Sequence, residues 1–163
     1  LRDTASEILG PNHQDQLDEF VNLFIEMHDD HAIKNTLPYP GAIETLKKLS
    51  SKGISMAVAT NKRYVPTMKL INHFDWQVYF TSIECSDSQN QIRNKDEMIQ
   101  EILKNNNFNK AYFVGDTVND GLSANLNQLP FILACYGYGR NQDWSKVNVK
   151  KEIQKFSEVL QLA

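Results

Sequence analysis

Leu17, Phe20, Val21, Phe24 and Met27 recur at the 3.6-residue period, with Asp18, Glu19, Asn22 and Glu26 on the other side, so the first long stretch is an amphipathic helix. Ahead of it, Ile8 and Leu9 belong to a shorter helix that Gly10 and Pro11 end. Pro38 and Pro40 then punctuate the chain. Gly41 opens a helix whose face holds Ala42, Ile43, Leu46 and Leu49, and Gly53 stops it. From here short apolar runs alternate with helical patterns. Residues 54–59, 78–83, 111–114 and 131–135 read as strands. Between them, Val65, Met68 and Ile71 mark one helix, Met98, Ile99, Ile102 and Leu103 a second, and Leu122, Ala124 and Leu129 a third. Ile153, Phe156, Val159 and Leu160 suggest a closing helix.

Strands that are apolar on both faces and separated by single helices imply a parallel sheet covered on each side, the doubly wound α/β class. A length of 163 residues suits one core with an appendage. At 41% hydrophobic and 23% charged, the composition excludes disorder and fibrous folds. The net charge of -3, without a clustered basic face, argues against nucleic acid as a partner. Cys85 and Cys135 have no metal-ligand or paired spacing and read as buried thiols. No apolar run is long enough to span a membrane, and the first residues lack a basic-then-apolar leader pattern, so a cytoplasmic location is expected.

In an open α/β sheet, ligands bind beyond the carboxyl ends of the strands. Thr60, Asn61 and Lys62 follow the first strand and offer a hydroxyl, an amide and a cation to an anion's oxygens. Lys95 precedes a helix and could reach a phosphate or an acidic group. Gly115-Asp116-Thr117-Val118-Asn119-Asp120 puts two carboxylates four residues apart at a strand-to-helix turn, which suits Mg²⁺, a hard cation that shares its shell with water and substrate phosphate. Each feature also has a structural reading. Thr60 and Asn61 suit a turn, Lys95 a solvated surface, and Asp116 and Asp120 a helix cap and an acidic first turn.

Their order and placement resemble the second, third and fourth motifs of the haloacid dehalogenase superfamily of phosphatases. Pro38-Tyr39-Pro40-Gly41 and Tyr136-Gly137-Tyr138-Gly139-Arg140 further resemble its phosphoglycolate phosphatase group. The resemblance implies a Rossmann-like core, residues 35–163, with residues 1–34 as part of a helical cap. It also implies attack of an aspartate on phosphorus and hydrolysis of the resulting aspartyl phosphate, with Mg²⁺ as cofactor and a small phosphorylated metabolite as substrate. Thr60 and Asn61 would bind the phosphoryl group, and Lys95 would hold that group and the nucleophile. Asp116 would ligate Mg²⁺. Asp120 would complete the metal shell directly, through water, or by orienting Lys95.

The family's first motif, Asp-x-Asp-Gly-Thr on a central strand, is absent from this sequence. No nucleophile is therefore assigned here, and the expectation is that a segment of roughly 50 residues is missing from the front. Without that strand its neighbours should be left unpaired. A non-catalytic phosphate-binding module is the alternative from another class, and pyrophosphatase, sugar-phosphate phosphatase and phosphomutase remain open within the family. Residues 146–151 only weakly match the family's last strand. His28-Asp29-Asp30-His31 raises a metal site, against the simpler reading of a polar helix end. Gly137-Tyr138-Gly139 is too short for a dinucleotide fingerprint and reads as a strand-end turn.

Overall fold

A computed structural model describes residues 2–31, 33, 34, 36–88 and 92–162; the side chains of Asp3 and of 28–31 lie outside that description. Helices α1 (Arg2–Leu9) and α2 (Leu17–His31) pack on each other. The alternation then runs α3 (Ala42–Ser51), β1 (Met56–Thr60), α4 (Tyr64–His73), β2 (Phe80–Cys85), α5 (Lys95–Asn105), β3 (Phe113–Gly115), α6 (Val118–Leu126), β4 (Phe131–Ala134) and β5 (Val149–Ile153). All strand pairs are parallel, as the apolar runs require.

The three-stranded sheet, in the order β3-β4-β5, holds the core. Every residue of β4 is buried, and its side chains alternate between two apolar layers. Ile132 and Ala134 meet Leu49 of α3, Ile153 of β5 and Val159. Phe131 and Leu133 face the other way, onto Ala124 of α6 and Val147. Burying Phe131 and Ile132, both 0% exposed, stabilises the fold by about 1.5–3 kcal/mol each.

The sheet is not continuous. β1 pairs with β2 in a sheet of their own, and among the described residues no ladder joins β1 to β3. Both strands at this break are only half-buried although they are apolar, in contrast to β4. This is the gap expected if a strand belongs between them. α5 bridges it, packing on β1 and β2 and also on α6.

At the C-terminal end, the strand Val149–Ile153 overlaps the weakly matching stretch 146–151 and is registered from Phe131↔Val149 to Ala134↔Ile153. Ile153 therefore belongs to β5, and only Phe156–Gln161 turns helical, as a 3-10 helix. Because Ile153 is fully buried against β4, cross-strand packing overrides the helical spacing that it shares with Phe156 and Leu160. The helix expected around Leu122 and Leu129 ends at Leu126.

Candidate active site

The carboxyl ends of β1, β2 and β3 deliver Thr60, Lys95 and the 116–120 turn. Thr60 is the last residue of β1, and its hydroxyl oxygen accepts from the backbone N–H of Lys62 at 3.1 Å. That bond holds the turn and leaves the hydroxyl hydrogen to donate elsewhere. Asn61 is exposed beside it.

Lys95 is the first residue of α5. Its position is set by what precedes it. The Asn94 N–H donates to Glu97 Oε2 at 2.8 Å, which caps the helix. Arg93 is anchored by an ion pair to Glu84 of β2, with side chains 9% and 16% exposed, and by its N–H to the Ser86 carbonyl at 2.8 Å. From the start of α5 the Lys95 ammonium forms an ion pair with Asp120 Oδ1 on α6.

Asp120 is fully engaged. Its Oδ2 accepts from the Asp116 N–H at 3.2 Å, the Thr117 N–H at 3.0 Å and the Thr117 hydroxyl at 2.7 Å, while the Asp120 N–H donates back to Thr117 Oγ1 at 3.3 Å. This is a reciprocal cap at the start of α6. Burial raises the carboxyl's pKa, but hydrogen bonds from Lys95 and Thr117 and the lysine's charge outweigh it, and the net direction is downward. Asp120 is thereby held ionised. Gly115 makes room for it: a β-carbon at 115 would lie 2.5 Å from Asp120 Cβ.

Asp116 is placed differently. Its Oδ2 accepts from the Tyr138 N–H at 2.7 Å, and among the described residues no donor meets Oδ1. That free carboxylate oxygen is the one that a hard cation or a water could use. Among the described residues no group of three His, Cys, Asp or Glu side chains gathers to form a protein-only cage. Tyr136, in edge-to-face contact with Tyr39 at 4.9 Å, borders the carboxylate; burial, Tyr39 and the Asp116 charge push its phenol up to about 12.

The expected residues therefore divide into two groups. Lys95, Asp116 and Asp120 form one bonded network, whereas Thr60 and Asn61 sit at the end of a neighbouring strand without a hydrogen bond to it among the described residues. The side chains of His28, Asp29, Asp30 and His31 lie outside the described residues. Gly137-Tyr138-Gly139 follows β4 closely, with Gly137 in a bend and Tyr138 and Gly139 opening the 3-10 helix Tyr138–Asn141. Nothing in the residue pattern signals that its backbone reaches Asp116. Thr117 and the Arg93–Glu84 pair were also missed; the Thr-x-x-Asp spacing of a capping box was the available signal for Thr117.

The family model for haloacid dehalogenase-like hydrolases matches residues 1–134, which include the whole Thr60–Asp120 set. A phosphoglycolate phosphatase of Agrobacterium fabrum is 33% identical over 125 residues, covering 75% of this chain and 53% of that protein. One from Rhodobacter capsulatus is 35% identical over 104 residues, or 64% of this chain and 47% of the relative. The chain thus spans about half the length of these curated relatives. A solved Clostridium difficile structure assigned to a phosphatase superposes with a TM-score of 0.85 at 26% identity, covering 99% of this chain and 76% of that one. No helix among the described residues is long and apolar enough to cross a membrane.

Proposed function

This chain belongs to the haloacid dehalogenase-like hydrolases, and on that premise we propose that it carries the phosphoryl-binding and cation-binding part of a phosphatase acting on small phosphate monoesters. Relatives named phosphoglycolate phosphatase favour a short phosphorylated hydroxy acid as substrate. The observation that carries the reading is the network in which a largely buried lysine and two aspartates converge at a strand-to-helix turn, with one oxygen of Asp116 met by no donor among the described residues.

Each residue has a role that its surroundings support. The Thr60 hydroxyl donates to a phosphoryl oxygen, together with the backbone of Asn61. Lys95 offsets negative charge on the phosphoryl group and on the attacking carboxylate. Asp120 keeps the ammonium aimed, and since both its oxygens are engaged, orienting Lys95 is the role its geometry favours. Asp116 fits Mg²⁺, because that ion is commonly bound through one or two carboxylates with water and phosphate filling the rest. When bound, the ion supplies charge neutralisation at the phosphoryl oxygens.

The nucleophile comes from outside residues 1–163, on a strand seated between β1 and β3, where the sheet is broken. That carboxylate attacks phosphorus and releases the alcohol, and water cleaves the aspartyl phosphate. The core 35–163 supplies the site, and residues 1–34 cover it as part of a cap that limits water entry.

The test is Mg²⁺-dependent phosphate release from phosphoglycolate and a panel of small phosphomonoesters by a fusion that places an Asp-x-Asp-Gly-Thr strand ahead of residue 1. Release by the fusion and none by residues 1–163 alone is expected. A folded fusion that binds phosphate yet releases none from any ester would refute the enzyme and favour a phosphate-binding module.

A further inference from the structure

We propose that the turn at 137–139 is a backbone clamp that positions the Asp116 carboxylate and decides which of its oxygens faces a cation; this rests on reading Asp116 as the cation-holding residue. The turn lies beyond the residues that the family model matches.

Three observations converge on Asp116. The Tyr138 N–H donates to Oδ2 at 2.7 Å, while the Tyr138 residue is 93% exposed, so the contact uses backbone and not the ring. A β-carbon on Gly137 would lie 2.2 Å from Asp116 Cβ and 2.3 Å from Oδ2, and one on Gly139 would lie 1.9 Å from the Asp116 carbonyl oxygen. Backbone therefore approaches both the side chain and the carbonyl of the aspartate, closer than any residue with a side chain allows.

The clamp is itself fixed. The Gly137 N–H donates to Ala134 at the end of β4, at 3.0 Å. On the far side the Gly139 carbonyl accepts from Trp144 Nε1 at 3.2 Å, and Trp144 stacks on Phe131 in the core. Gln142 Oε1 accepts from the Val118 N–H at 2.7 Å, joining the same segment to the start of α6. With Oδ2 taken by a rigid donor, Asp116 is held against swinging to share both oxygens, which leaves Oδ1, met by no donor among the described residues, as the oxygen available to a cation. Partners that hydrogen-bond a ligating carboxylate orient it and tune its affinity, and their loss typically weakens metal binding 10–100-fold.

Tyr138 allows the donor to be removed separately from the side chain. It opens a 3-10 helix, where proline's fixed φ is accepted, and Gly137 before it is extended, as a residue preceding proline should be. Manganese would serve as the probe, with free ion read by electron paramagnetic resonance on the chain of residues 1–163. Tyr138→Pro is expected to bind roughly tenfold or more weakly than Tyr138→Ala, which loses the same ring and keeps the N–H. Affinities of the two variants within a factor of about two would overturn the clamp. No manganese binding by the unsubstituted chain, or binding that Asp116→Asn leaves unchanged, would overturn the cation reading of Asp116 and the clamp with it. If urea unfolding shows that Tyr138→Pro does not fold, Gly137→Ala decides by the same comparison, because its new methyl group must displace the Asp116 side chain.

Discussion

Asp120→Asn tests the network at its centre. The pair that it breaks is nearly dry: the Lys95 side chain is 12% exposed and that of Asp120 6%. Asparagine keeps a carbonyl oxygen for the N–H groups of Asp116 and Thr117, so most of the cap on α6 survives, and the principal loss is the charge opposite Lys95. An exposed pair would contribute about 1 kcal/mol or less. Removing one partner of a buried pair instead leaves an uncompensated charge and costs about 3–5 kcal/mol. Urea unfolding at neutral pH, with unchanged m-values, measures the difference. Lys95→Met should be destabilising too, and the double variant should recover much of the loss, because it leaves no isolated charge. A cost below about 1 kcal/mol for Asp120→Asn, or strict additivity in the cycle, would refute the reasoning. The pH dependence follows with a definite sign. The folded carboxyl titrates below its ordinary 3.8, so its contribution is complete above that value and is lost as the pH falls through the lower folded one. The advantage of wild type over Asp120→Asn should therefore shrink on acidification and stay constant from pH 5 to 8.

Two further outcomes follow from the same geometry. Thr60→Val should change stability by less than about 1 kcal/mol, since the hydroxyl's described bond is to an exposed N–H, yet lower phosphate release by the fusion about a hundredfold; equal loss of both would make Thr60 a turn residue only. In an ultraviolet titration, Tyr136 should ionise near 12, and Asp116→Asn should bring it down. Its folded pKa is raised, so the stabilisation is present below the ordinary value of 10.0 and is lost as the pH climbs through about 12. Indistinguishable titration in wild type and Asp116→Asn would remove Asp116 from the phenol's surroundings.

Much of the architecture was written locally. The 3.6-residue period of α2, the Gly41 and Gly53 boundaries of α3 and the wholly apolar β4 each follow from a few neighbouring residues, because helix and strand periods repeat within a short window. The positions of Thr60, Lys95, Asp116 and Asp120 at strand-helix junctions were legible for the same reason, since a parallel sheet gathers such junctions at one edge. Ile153 shows where that reasoning fails. Its spacing fits a helix, but pairing with β4 gave more burial than a helical turn could.

What only the tertiary structure decided depends on groups far apart in the chain. Lys95 and Asp120 are separated by 25 residues, and their pairing commits Asp120 to the lysine. Tyr138 is 22 residues from Asp116, and it contributes a backbone N–H, a group that every residue except proline carries and that leaves no mark in a sequence. The break between β1 and β3 was expected only through the family resemblance and not from the residues of either strand, because strand pairing is a relation between segments and not a property of either one.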